Sequence, residues 1–175
     1  MCHQLNNTAI QSPVNKFNSE ELIQLYRVQP RLKLEGVESR PLFPTSSEWQ
    51  SRVNEVLSSA SHTESRSHSE ISSLFEEMGV KHENEFSPLP IEDGIDPGGF
   101  LAVDMAIPST RTAIEFNGPW HYLGGLNGTV ENGRTKRKAR LLGKLGWEIV
   151  SIPWFEWKDL RGKVAYLERK LKGAD

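Results

Sequence analysis

The stretch Ile114-Glu115-Phe116-Asn117-Gly118-Pro119-Trp120-His121-Tyr122 constrains the fold more than any other part of the chain. It reads as a buried strand that carries an acid to its end and then turns sharply, because proline lacks the amide hydrogen a sheet ladder needs and glycine tolerates the turn. Upstream, in Phe100–Ile107, Leu101, Val103, Met105 and Ile107 face one way while Phe100, Ala102, Asp104 and Ala106 face the other. Pro108-Ser109-Thr110-Arg111 is the intervening turn, and Thr112–Asn117 is apolar enough to be central in a sheet. If Ile107 pairs with Thr112 in this antiparallel hairpin, Asp104 stands opposite Glu115 on one face.

Around the hairpin the pattern predicts helix, three strands, helix, strand, helix. Asn18 and Glu21 form a capping box for a first helix over 17–29, with Phe17 and Leu22 as a hydrophobic staple and Pro30 as its stop. Thr45 and Glu48 repeat the cap before an apolar stripe of Trp49, Val53, Val56, Leu57 and Ala60. Ser58–Ser69 is Ser/His/Thr-rich and reads as a linker, so the expected organisation is a helical extension over 1–57, the linker over 58–69 and an α/β domain over 70–175. In that domain a helix carrying Ile71, Leu74, Phe75 and Met78 ends at Gly79, and a polar strand lies in Val80–Phe86. Pro88–Gly99 is turn-rich, Arg134–Leu145 is helical and Trp147–Pro153 is a strand. The last helix runs from Asp159, with Leu160, Val164, Leu167 and Leu171 as its core stripe.

Composition narrows the function classes. A chain of 175 residues buries a core without staples, and no apolar run approaches the roughly 18 residues of a membrane span. One cysteine, Cys2, rules out an internal disulfide and a cysteine-rich zinc site. The net charge of −2 denies the whole molecule a positive field, so nucleic-acid binding must be local. No dinucleotide fingerprint, Walker loop or zinc spacing is present, and no small-molecule cofactor is implied. The first residues carry neither a secretory nor an arginine-rich transit signal, so the chain either lacks a cleaved import signal or is the tail of a longer protein.

Two groups of residues carry candidate chemistry. Asp104 and Glu115, about 5 Å apart, would repel by roughly 3 kcal/mol at an effective dielectric near 20. Mg²⁺ held by both acids would offset that and activate water; a lysine or a shared proton would serve equally. Alternatively Asp104 ends a strand and Glu115 pairs with the following helix. His121 is placed as a base or ligand, or bonds locally, and Glu70 is a possible third acid. The second group is the basic helix with Arg134, Lys136, Arg137, Lys138, Arg140 and Lys144. Lys136, Arg140 and Lys144 recur every four residues as an outward ridge suited to phosphates, whereas Lys138 shares the inward face with Leu141, Leu142 and Leu145. Trp147, Trp154 and Trp157 are core residues or stacking platforms, and Trp120 is a candidate RNA contact.

Ala113-Ile114-Glu115-Phe116-Asn117-Gly118-Pro119-Trp120-His121, then Asn127-Gly128, Lys138-Ala139-Arg140-Leu141-Leu142-Gly143-Lys144-Leu145-Gly146-Trp147, Ile152-Pro153, Glu156-Trp157 and Tyr166-Leu167 closely resemble the RAP domain, with a motif core over 112–171. The resemblance implies a restriction-endonuclease-like, or PD-(D/E)XK, three-layer α/β sandwich close to the very-short-patch-repair branch, with a mixed sheet of about four strands. It implies RNA as partner, in mitochondrial or plastid RNA processing, stability or translation. It puts Asp104 and Glu115 at metal-binding positions, matches His121 to the histidine after the turn and Lys138 to the helix lysine. Asn117 stands where relatives carry lysine or aspartate, which weakens a Mg²⁺-dependent endoribonuclease and favours RNA binding. A third alternative is a protein-interaction module that kept only the fold.

Overall fold

The computed structural model describes residues 14–37, 47–58, 65–89 and 101–173. The chain divides into two compact units, Met1–His62 with Leu89–Phe100, and Thr63–Pro88 with Leu101–Asp175. Thr45, Ala60, Phe100 and most of the Pro88–Gly99 turn region lie outside the described residues.

The first unit contains α1 (Ser19–Leu34) and α2 (Ser47–Ser58). The capping box forms in full: the Glu21 amide donates to Asn18 Oδ1 and the Asn18 amide to Glu21 Oε2, both at 2.9 Å. Pro30 does not stop α1. The helix absorbs the missing amide and runs one more turn, ending where Gly36 takes φ +74°. There the Val37 amide reaches Leu32 O at 2.9 Å and the Gly36 amide reaches Lys33 O at 3.1 Å. A left-handed glycine that satisfies two terminal carbonyls is a stronger end signal than a proline whose ring the preceding turn accommodates. Leu22, Trp49 and Val56 close a small core with Val14, and Phe17 packs on it, 5.5 Å from the Trp49 ring.

The second unit is an α/β sandwich on a four-stranded mixed sheet in the order β1 (Glu83–Phe86), β2 (Val103–Ile107), β3 (Thr112–Asn117), β4 (Glu148–Pro153). β1, β2 and β3 pair antiparallel, and β4 joins β3 in parallel after a crossover through α4 (Gly133–Lys144). Ile107 pairs with Thr112 and Met105 with Ile114, the expected hairpin register. α3 (Arg66–Glu77), the short α5 (Trp154–Trp157) and α6 (Lys163–Lys172) cover one face, where Ile71, Phe75, Met105, Ile114, Ile152, Trp157 and Leu167 form the main core. α4 stands on the other face, burying Leu141 and Leu142 and presenting Lys138 to Glu115. Helices on both faces explain why alternate side chains of β3 are all enclosed: such a strand has no solvent side.

Two boundaries differ from expectation for local reasons. Arg66–Ser69, read as the end of a linker, is the first turn of α3, because Ser65 caps it by accepting the His68 amide. Asp159–Gly162 is not helical; Gly162 at φ +74° starts the last helix at Lys163. That shift turns Tyr166 and Leu167 into the core and leaves Val164 38% exposed instead of on the core stripe.

Candidate functional site

The site forms where β2 and β3 part. Beyond Met105 the ladder stops, and the Asp104 carboxylate takes the place of a backbone acceptor: the Phe116 amide donates to Asp104 Oδ2 at 2.7 Å. On its other side Asp104 leaves the ladder with β1 as well. His68 Nε2 donates to the Asp104 carbonyl at 2.7 Å, and Glu85, at φ +50°, sits where the pairing skips. His68 Nδ1 lies 3.5 Å from Glu85 Oε1. A side chain thus substitutes for the sheet at the position where one acid is brought against another.

Glu115 is 6% exposed, and Lys138 Nζ reaches its Oε1 at 2.5 Å. Burial pushes the Glu115 carboxyl up to about 7 against the pull of Lys138, and the neighbouring charge of Asp104 pushes the same way as burial. His121 lies near the same charges. Its pKa is lowered, first by burial and then by Lys138, so the imidazole is neutral at pH 7. Thr135 Oγ1 stands 3.2 Å from His121 Nδ1 and anchors the ring to the first turn of α4.

Asn117 is 2% exposed and donates to Ser151 Oγ at 2.7 Å and to Glu131 Oε1 at 3.4 Å. It therefore belongs to a polar group with Ser151, Glu131 and Tyr122, whose hydroxyl is held above its ordinary pKa by burial and by Glu131. Glu70 is elsewhere: its carboxylate accepts from Lys163 Nζ at 2.7 Å and Trp157 Nε1 at 3.1 Å, and the Lys163 bond holds its pKa down. It ties α3 to α6 and is not a third acid of this site.

The fit to Mg²⁺ can be read from these partners. One oxygen of Asp104 is taken by Phe116 and one of Glu115 by an ammonium, so Lys138 supplies the countercharge a divalent cation would bring. Among the described residues no three His, Cys, Asp or Glu side chains are grouped to hold a metal. In this arrangement the charge bonded to Glu115 is the Lys138 ammonium.

On the outside of α4, Arg134, Lys136, Arg140 and Lys144 are exposed and Arg137 is half-buried. Trp147 and Trp157 are buried and Trp154 is half-buried, whereas Trp120 is 87% exposed. Sequence reasoning missed Glu131 and Ser151. Ser151 is the parallel-ladder partner of Glu115, which only the β3–β4 register reveals; Glu131 arrives through an isolated bridge to Tyr122 that no periodicity announces.

With this geometry in hand, residues 114–170 match the family model of the RAP domain. This segment is similar to the RAP domain. A chloroplastic RAP domain-containing protein of Oryza sativa subsp. japonica is 33% identical over 75 residues, which are 42% of this chain and 11% of the rice protein. The chain thus spans a small part of that relative's length. The RAP segment includes Glu115, Asn117, Trp120, His121 and all of α4; Asp104 and His68 come from outside it.

The RAP turn after β3 depends on one glycine. A methyl group on Gly128 would lie 1.7 Å from the Leu123 carbonyl oxygen, so the loop that returns Glu131 to the site closes only on a hydrogen. Gly128→Ala is expected to destabilise the unit by about 1–3 kcal/mol, as forced overpacking does. Urea unfolding measures it, and an unchanged midpoint would show that the loop opens freely.

Proposed function

We propose that this RAP unit holds RNA and serves organellar RNA metabolism, in processing, stability or translation, and that its compartment is the plastid. The observation that carries the reading is a cationic patch set in an otherwise slightly acidic chain. Arg134, Lys136 and Arg137 make no ion pair among the described residues and stand on the helix that flanks the exposed Trp120. Phosphates are what such a local patch attracts when the net charge does not. The plastid address rests on the chloroplastic description of the rice relative, and the RNA partner on the RAP resemblance.

The reading is one of holding RNA, not cutting it. Lys138 occupies one oxygen of Glu115, the Phe116 amide occupies one of Asp104, and Asn117 supplies neither a charge nor a base. Lys136→Glu combined with Arg137→Glu is expected to lower affinity for an RNA oligonucleotide at least about tenfold and to flatten the dependence of log K on log salt. Unchanged affinity and slope would sink the reading. Cleavage in Mg²⁺ that disappears in the Asp104→Ala, Glu115→Ala double variant would replace it with an endonuclease.

A further inference from the structure

Trp120 is the most exposed large apolar side chain among the described residues, at 87%, and its backbone is held firmly. Asn132 Nδ2 donates to the Trp120 carbonyl at 2.7 Å, and the Asn132 amide donates to the His121 carbonyl at 2.9 Å. The same Asn132 caps α4, its Oδ1 accepting the Thr135 amide at 3.0 Å. One residue therefore fixes the backbone of Trp120 to the first turn of the basic helix. On the other side, Pro119 restricts the chain and the His121 amide closes onto Gly118 O at 3.0 Å. Arg134 follows two residues after Asn132, so the Trp120 backbone is fixed to the turn of the helix that carries the exposed Arg134 and Lys136.

A bare indole of this kind has no structural use within the unit, unlike Trp157 and Trp147, which fill cores. What it offers is a flat π-face on a backbone fixed to the first turn of the basic helix. A nucleotide presents the complement: a flat base joined to a phosphate. In a duplex the base faces are already stacked on one another, and only an unpaired base has a face to give. The cationic surroundings argue against an apolar protein partner, which would have to bury those charges.

We propose that Trp120 is a stacking platform for an unpaired base, with Arg134, Lys136 and Arg137 on the adjoining phosphates, so that the RAP unit selects single-stranded over duplex RNA. This rests on the RNA-holding reading above and adds the strandedness of the ligand. Because every base has a π-face, the contact tolerates sequence.

The test uses the full chain, an unstructured single-stranded RNA dodecamer and the same sequence as a perfect duplex, followed by fluorescence anisotropy. Wild type is expected to favour the single strand about tenfold or more. Trp120→Ala should lose about that factor on the single strand, with duplex affinity and the salt slope unchanged, while Trp120→Phe keeps most of the preference. Since the indole is 87% exposed, both variants should fold as wild type does, which circular dichroism checks. Equal binding of the two RNAs by wild type, or a Trp120→Ala chain that binds the single strand normally, overturns this inference while salt-dependent RNA binding keeps the broader reading. No RNA binding by wild type overturns both. A change of oligomeric state in Trp120→Ala with RNA affinity intact would assign the indole to a protein contact and also overturn it.

Discussion

Replacing Lys138 by methionine is expected to leave stability nearly unchanged at pH 6 and to cost about 1.4 kcal/mol for each pH unit above about 7. The buried Glu115 carboxyl has a folded pKa of about 7, above its ordinary 4.5. A folded pKa above the unfolded one means the folded state binds the proton more tightly. The contribution of Glu115 is therefore fully present below pH 4.5 and is lost as the pH rises through about 7. In wild type the loss stops there, because the carboxylate then forms against the Lys138 ammonium. Without that ammonium the carboxyl stays protonated to higher pH, so the decline continues above pH 7. Methionine keeps the apolar stem of the lysine, which confines the change to charge. Urea unfolding from pH 5 to 9 reads it directly, and Glu115→Gln should abolish the slope between pH 4.5 and 7. A Lys138→Met cost that is the same at every pH would show that the ion pair does not govern this site.

That Glu115, Asp104 and Lys138 could be associated from sequence has a physical basis. A hairpin with a short turn fixes its own register, so one correct pair, Ile107 with Thr112, determines the rest. Helical periodicity likewise separates Lys138, near the leucines, from the outward Lys136 and Arg140. What periodicity does not encode is how a backbone departs from its ladder. The Asp104 carboxylate in place of a carbonyl, the positive φ of Glu85, and the return of Glu131 through a glycine-closed loop are consequences of tertiary packing. The same limit explains the misplaced ends of α1 and α6. Pro30 and Asp159 carry real local preferences, yet Gly36 and Gly162 decided the boundaries because their left-handed conformations arrange the hydrogen bonds of the neighbouring turn.

Trp157→Ala is expected to destabilise the second unit by about 3–5 kcal/mol, the largest effect of any substitution considered. Trp157 is 1% exposed in the core between the sheet and α3, with Tyr166 of α6 6.1 Å away ring to ring. Its Nε1 donates to Glu70, and Lys163 Nζ lies 4.6 Å above its ring while also bonding Glu70. Truncation would open a cavity at the junction of α3, α5 and α6 and release both partners of Glu70 from their common geometry. Trp157→Phe retains most of the buried ring and gives up only one hydrogen bond to a carboxylate that is itself exposed, so its cost should be about 1 kcal/mol. Urea unfolding of the two variants separates volume from hydrogen bonding; equal costs would mean that the Glu70 bond, not the ring, holds the junction. The contrast with Trp120 then becomes a measurement. Trp157→Phe should lower stability without moving RNA affinity, and Trp120→Ala should lower RNA affinity without moving stability, because the first indole faces the core and the second faces solvent.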